Sequence, residues 1–187
     1  MALTKARRSP PPLDPPKLQE LALRYVGRYA TTRAKLRAYL SRKLRERGWN
    51  GDRAPDVAAV AERFAELGYV DDAAYALSKS RALSGRGYGK RRLIEKLKVD
   101  GVDEDDAMEA IDAAEGDAFT AALRYAERRR IGPFANMTLD RAGREKAIAA
   151  MIRAGHSFAL ARAIASLAPG ADTSDIDIGR AERPETI

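Results

Sequence analysis

The 187-residue sequence predicts an all-α fold of three tandem three-helix repeats, stacked into an elongated, curved body. Two observations carry this expectation. Apolar residues recur with helical spacing from Leu18 to Ala168 and alternate like a strand nowhere, so nine helices are expected. Three glycines, Gly48, Gly101 and Gly155, each follow an apolar residue by four positions (Leu44, Leu97, Met151) and lie 53 and 54 residues apart. Such register points to a repeated unit of about 50 residues, too small to bury much surface alone.

The elements follow in order. Residues 1–17 hold five prolines and a local charge of +3, which reads as a disordered basic arm. Repeat 1 spans 18–70. Leu18, Leu21, Ala22, Tyr25, Val26 and Tyr29 form one helical stripe, and Leu36, Tyr39, Leu40 and Leu44 a second that ends at Gly48. A third helix carries Val57, Val60, Ala61, Phe64 and Leu67, with Pro55 expected at its first position and Gly68 at its close. Repeat 2 spans 71–115. Its helices are Asp71 to Leu83, Lys90 to Asp100 stopped by Gly101, and one capped by Asp103. Repeat 3 spans 116–168, with helices begun by Phe119, centred on Ala147 to Ile152, and capped by Ser157. Pro169-Gly170 ends the last helix, and residues 169–187, at −3, read as a mobile acidic tail.

Composition narrows the function classes. There is no cysteine, which removes disulfides and thiolate chemistry, and one histidine, His156, which cannot build a multi-histidine metal site. No apolar run approaches the roughly 20 residues of a membrane span, and no apolar stretch follows the basic N-terminus, so a soluble, cytoplasmic protein is expected; a monomer is expected as a separate matter. The loop Gly85-Arg86-Gly87-Tyr88-Gly89-Lys90-Arg91 fails as a phosphate-binding loop: Ser84 stands where its first glycine belongs and Arg91 where its hydroxyl belongs. It reads instead as a flexible connector. Asp103 to Asp106 read as first-turn carboxylates rather than metal ligands, and His156 as a residue packed at a helix junction. No cofactor, metal or catalytic constellation is expected, and the chain is not expected to be an enzyme.

What remains is basicity. The net charge is +7, and the three repeats carry +5, −3 and +5. On the second helix Lys35, Arg42 and Arg45 lie opposite the leucine stripe, with Arg33 and Arg37 at its edge beside Arg47, which stays outside the candidate set. Arg86, Lys90, Arg91 and Arg92 cluster at the start of the equivalent helix in repeat 2, and Arg128, Arg129 and Arg130 end the first helix of repeat 3. Arg outnumbers Lys 25 to 9, and a guanidinium grips phosphate or carboxylate with two parallel bonds. These twelve residues are the candidate contact surface, set against the alternative that Arg richness is only a solvated face.

The segments Leu67-Gly68-Tyr69-Val70-Asp71-Asp72, Tyr75-Ala76, Gly87-Tyr88-Gly89, Arg91-Arg92-Leu93 and Gly101-Val102 resemble the RecX regulatory family of RecA modulators. Arg130-Ile131-Gly132-Pro133-Phe134 and Met151 to Ala161 look like the alphaproteobacterial version. Lys90 departs from the pattern, which commonly has proline there, and the link Asn50 to Pro55 is longer. The resemblance implies a non-enzymatic regulator of recombination and repair. Such a protein lies in the groove of a RecA filament, inhibits filament extension, ATP hydrolysis and strand exchange, and has single-stranded DNA as a further contact. The alternative from charge alone is a general helical DNA-binding protein, whose affinity would fall steeply with salt.

Overall fold

A computed structural model describes residues 11–174. Among these residues there are nine α-helices, one short 3₁₀ turn and no strand. The helices are α1 (Pro15–Val26), α2 (Arg33–Arg47), α3 (Val57–Glu66), α4 (Asp72–Gly85), α5 (Lys90–Asp100), α6 (Glu104–Gly116), α7 (Ala118–Arg129), α8 (Arg141–Arg153) and α9 (Phe158–Ala165). Local chemistry sets their ends. The side chains of Asp14, Thr32, Asp56, Asp140 and Ser157 each accept a hydrogen bond from an amide in the first turn of α1, α2, α3, α8 and α9. Gly48, Gly101 and Gly155 all adopt positive φ where α2, α5 and α8 end, a conformation that favours glycine.

Two elements begin elsewhere than the sequence suggests. Pro55 is not the first residue of α3. Asp56 is its N-cap, since an aspartate carboxylate supplies the acceptor that proline cannot. The arm expected over residues 1–17 is also shorter. Residues 1–10 lie outside the described residues, but Leu13 is fully buried, its amide donates to Gly48 O (3.0 Å), and its carbonyl accepts from Asn50 (2.7 Å). Arg47 secures the same segment by two bonds to Pro11 O, and α1 starts at Pro15, where a missing N–H is no loss. At the other end Gly170 N donates to Pro133 O (2.8 Å), and residues 175–187 lie outside the described residues.

The chain divides into two compact units, Met1–Tyr75 with Asp100–Val102, and Ala76–Val99 with Asp103–Ile187. The first buries Leu13, Leu18, Ala22, Leu36, Leu40, Ala61, Phe64 and Val70 where α1 and α3 pack on α2. The second is built on small residues: Ala122, Ala126, Ala147, Ala154, Ala161 and Ala165 surround Tyr125, Met151, Leu160 and Ile164. Alanine-rich faces let α7, α8 and α9 approach closely, which explains a core with few aromatics.

Candidate functional site

In the first unit the start of α2 is bound to two buried carboxylates that periodicity did not reveal. Thr32 Oγ1 donates to Asp100 O (2.6 Å) while it caps Lys35 N (3.1 Å). Arg33 donates from its backbone amide to Asp72 Oδ1 (2.9 Å) and from Nε to Asp72 Oδ2 (3.3 Å), and its tip reaches Glu62 at 3.5 Å. Lys35 Nζ sits 2.8 Å from Asp100 Oδ1 and donates to the Tyr75 hydroxyl (2.6 Å), which donates in turn to Asp100 Oδ2 (2.7 Å). Asp72 and Asp100 are 5% and 2% exposed, so they depend on these partners. Arg33 and Lys35, two of the twelve candidates, therefore hold the fold. Arg37, Arg42 and Arg45 remain exposed along α2. Arg42 contacts Glu46 at 3.6 Å and lies 5.6 Å from the centre of the Tyr39 ring; an exposed pair of this kind is easily exchanged for a partner's carboxylate or phosphate.

Beside them is a feature absent from the candidate set. Tyr25 stacks on Tyr39 (4.2 Å between ring centres) and tilts against Tyr29 (5.4 Å), with Arg28 and Lys43 5.8 and 5.9 Å from the Tyr29 and Tyr39 rings. The i, i+4 spacing of Tyr25 with Tyr29 and of Tyr39 with Lys43 was the available signal.

In the second unit the loop before α5 is not a flexible connector. Gly87 and Gly89 are both buried. A Cβ on Gly89 would lie 2.4 Å from Gly155 O, and one on Gly155 would lie 2.6 Å from Arg92 N, so the start of α5 crosses the end of α8 with backbone against backbone. Gly89 N donates to Ala154 O (2.9 Å) and Arg91 N to Gly155 O (3.2 Å). The amides of Arg86, Gly87 and Tyr88 are likewise bonded, to Leu83 and Ser84 carbonyls. A phosphate cradle needs free amides, and those five are engaged.

This loop also brings the two basic clusters of the second unit together. Gly87 (φ +76°) packs on the backbone of Tyr125, and the Arg128 guanidinium lies 5.8 Å from the Tyr88 ring centre and 5.7 Å from that of Tyr125. Of the residues expected here, Arg86, Arg91, Arg129 and Arg130 are exposed, Arg92 pairs with Glu95 (3.1 Å), and Lys90 pairs with Glu115. His156 is buried at the junction, as its position after Gly155 suggests. Its Nε2 lies 3.0 Å from Gly87 O, which requires a proton there, while Nδ1 has no partner. Burial lowers its pKa below the ordinary 6.5, outweighing the Gly87 carbonyl, so the ring is a neutral structural group at pH 7. Among the described residues no His, Asp and Glu side chains group as metal ligands, and no helix is long and apolar enough to cross a membrane.

Comparison with known proteins places this architecture. Residues 71–111 match the family model for the second three-helix domain of RecX. The regulatory protein RecX of Myxococcus xanthus is 32% identical over 163 residues, which cover 83% of this chain and 87% of that protein. RecX of a Mycobacterium species (strain JLS) is 42% identical over 98 residues, 51% of each chain. The crystal structure of RecX from Lactobacillus salivarius aligns with a TM-score of 0.57 over 80% of this chain and 92% of that one at 20% identity, which shows a shared fold. The tandem three-helix architecture and the extent of the Myxococcus match together establish that this chain belongs to the RecX family of regulatory proteins.

Proposed function

We propose that this chain acts without catalysis of its own, by binding the RecA filament on single-stranded DNA and inhibiting filament extension, ATP hydrolysis and strand exchange. The observation that carries this reading is the 163-residue match to a RecX regulator, which runs through the glycine register and the basic helix starts. Repeats over 18–70, 71–115 and 116–168 present separate basic surfaces to successive subunits. Arg37, Arg42 and Arg45 act from the first unit, and Arg86, Arg91 and Arg128 to Arg130 from the second. Binding that prefers one filament state changes ATP hydrolysis in proportion to that preference, with no catalytic group of its own. The protein works as a monomer in the cytoplasm, with any direct DNA contact secondary.

Co-sedimentation tests this. Filaments assembled on single-stranded DNA are expected to carry the chain into the pellet at micromolar concentration, whereas naked DNA retains it only at low salt. Equal retention by naked DNA and by filaments would favour the general DNA-binding alternative.

A further inference from the structure

The outer face of α8 and α9 carries a feature that the basic clusters do not include. An open groove of about 500 Å³ runs between the two helices. Its floor is aliphatic, from Ile148, Ala149 and Ile152, and Phe158 stands at one side with 57% of its surface exposed. Phe158 follows the Ser157 cap at the first position of α9, so its backbone is fixed while its ring projects from the core. Arg141, Arg144 and Arg162 line the groove against a single acid, Glu145, which pairs with Arg141 at 3.0 Å. An apolar floor edged by cations is the complement of a segment with an apolar stripe edged by carboxylates.

We propose that this groove is a docking site for an acidic amphipathic helix of a partner protein, its aliphatic stripe seated on Ile148, Ile152 and Phe158 and its carboxylates on Arg144 and Arg162. The aliphatic floor selects protein over nucleic acid. A base-binding surface stacks its ligand on aromatic rings, and here a lone Phe stands beside isoleucines and a glutamate. The stretch of α8 from Arg141 to Ile152 is about 17 Å long, which accommodates about three turns of a second helix. The site goes beyond the RecA reading, since it fits any partner that offers such a helix.

The test uses the full chain and a fluorescein-labelled synthetic peptide of about 15 residues, with Leu at helical spacing on one face and Glu on the others, beside a counterpart carrying Lys for Glu. Fluorescence polarisation is expected to show binding of the acidic peptide, weaker at high salt, and none of the lysine peptide. Phe158→Ser, and separately Arg144→Glu with Arg162→Glu, should each weaken it at least tenfold, while Arg144→Lys with Arg162→Lys retains most of it. All these side chains are exposed, and unchanged helicity by circular dichroism confirms that each variant folds. Failure of the acidic peptide to bind, or binding indifferent to these variants, overturns the proposal. So does an oligo-dT that binds and is lost with the same arginines, because the site would then read phosphate. Self-association abolished by Phe158→Ser would assign the groove to a second copy. Peptide binding that appears only after removal of residues 175–187, which begin Asp-Ile-Asp-Ile, would assign it to the chain's own C-terminus. A null sedimentation result with RecA leaves these outcomes unaffected, so the two readings fail separately.

Discussion

Gly89→Ala probes the crossing of α5 and α8 with one methyl group. That methyl would sit 2.4 Å from Gly155 O, 2.5 Å from Gly155 C and 2.8 Å from His156 N, all backbone atoms that no rotamer change can clear. Relief requires the two backbones to separate, which strains the close packing by about 1–3 kcal/mol. Separation also stretches the Gly89 N to Ala154 O and Arg91 N to Gly155 O bonds, each contributing about 1 kcal/mol. The expected loss is about 3–5 kcal/mol, or a fall in Tm of about 6–20 °C for a chain of this size. Gly85→Ala is the matched control in the same loop. Nothing lies within 4 Å of its Cβ position and its φ is not positive, so alanine there is neutral or stabilises the end of α4 by up to about 1 kcal/mol. Far-UV circular dichroism during urea unfolding is the suitable assay, because Trp49, the sole tryptophan, belongs to the other unit. A Gly89→Ala protein within about 0.5 kcal/mol of wild type, or equal losses at the two glycines, would refute the reasoning.

Four further outcomes rest on the same contacts. Asp100→Asn weakens the acceptor for Lys35 and Tyr75 inside the protein, and urea denaturation should show a loss of about 2 kcal/mol, below the cost of breaking a wholly buried pair because Lys35 is one-third exposed. His156 binds its proton less readily folded than unfolded, so its contribution to stability is complete above pH 6.5 and is lost as the pH falls below that value, at up to about 1.4 kcal/mol per pH unit. His156→Gln should lack this increment when unfolding free energies at pH 7.5 and 5.5 are compared. Arg42→Glu with Arg45→Glu should reduce filament affinity at least tenfold in sedimentation without changing helicity, whereas Arg33→Ala keeps its amide bond to Asp72 but should lower thermal stability through loss of the Nε bond to that buried carboxylate.

The helices were legible because amphipathic spacing and capping act within a turn or two. Leu36, Leu40, Ser157 and the three register glycines needed no tertiary information. Interactions between distant segments escaped. Lys35 lies opposite the leucine stripe and reads as solvent-facing, yet Asp100, 65 positions along the chain, closes over it. Leu13 sits among prolines and reads as part of an arm, while its burial depends on Gly48 and Asn50. Gly87 and Gly89 offered a signal that supports two opposite readings, because glycine serves both a loose loop and a close backbone approach. Only the partner backbones of Tyr125 and Gly155 decide between them. The candidate surface was legible in the same measure: sequence located the cations, but which of them the fold consumes depended on acids far away in the chain.

ATP hydrolysis by RecA filaments on single-stranded DNA, titrated with this chain, tests the proposed regulation most directly. Hydrolysis is predicted to fall with added protein at concentrations well below that of RecA subunits, and to fall less with Arg42→Glu and Arg45→Glu in place. Hydrolysis that stays constant through equimolar protein would mean that this chain does not regulate the filament.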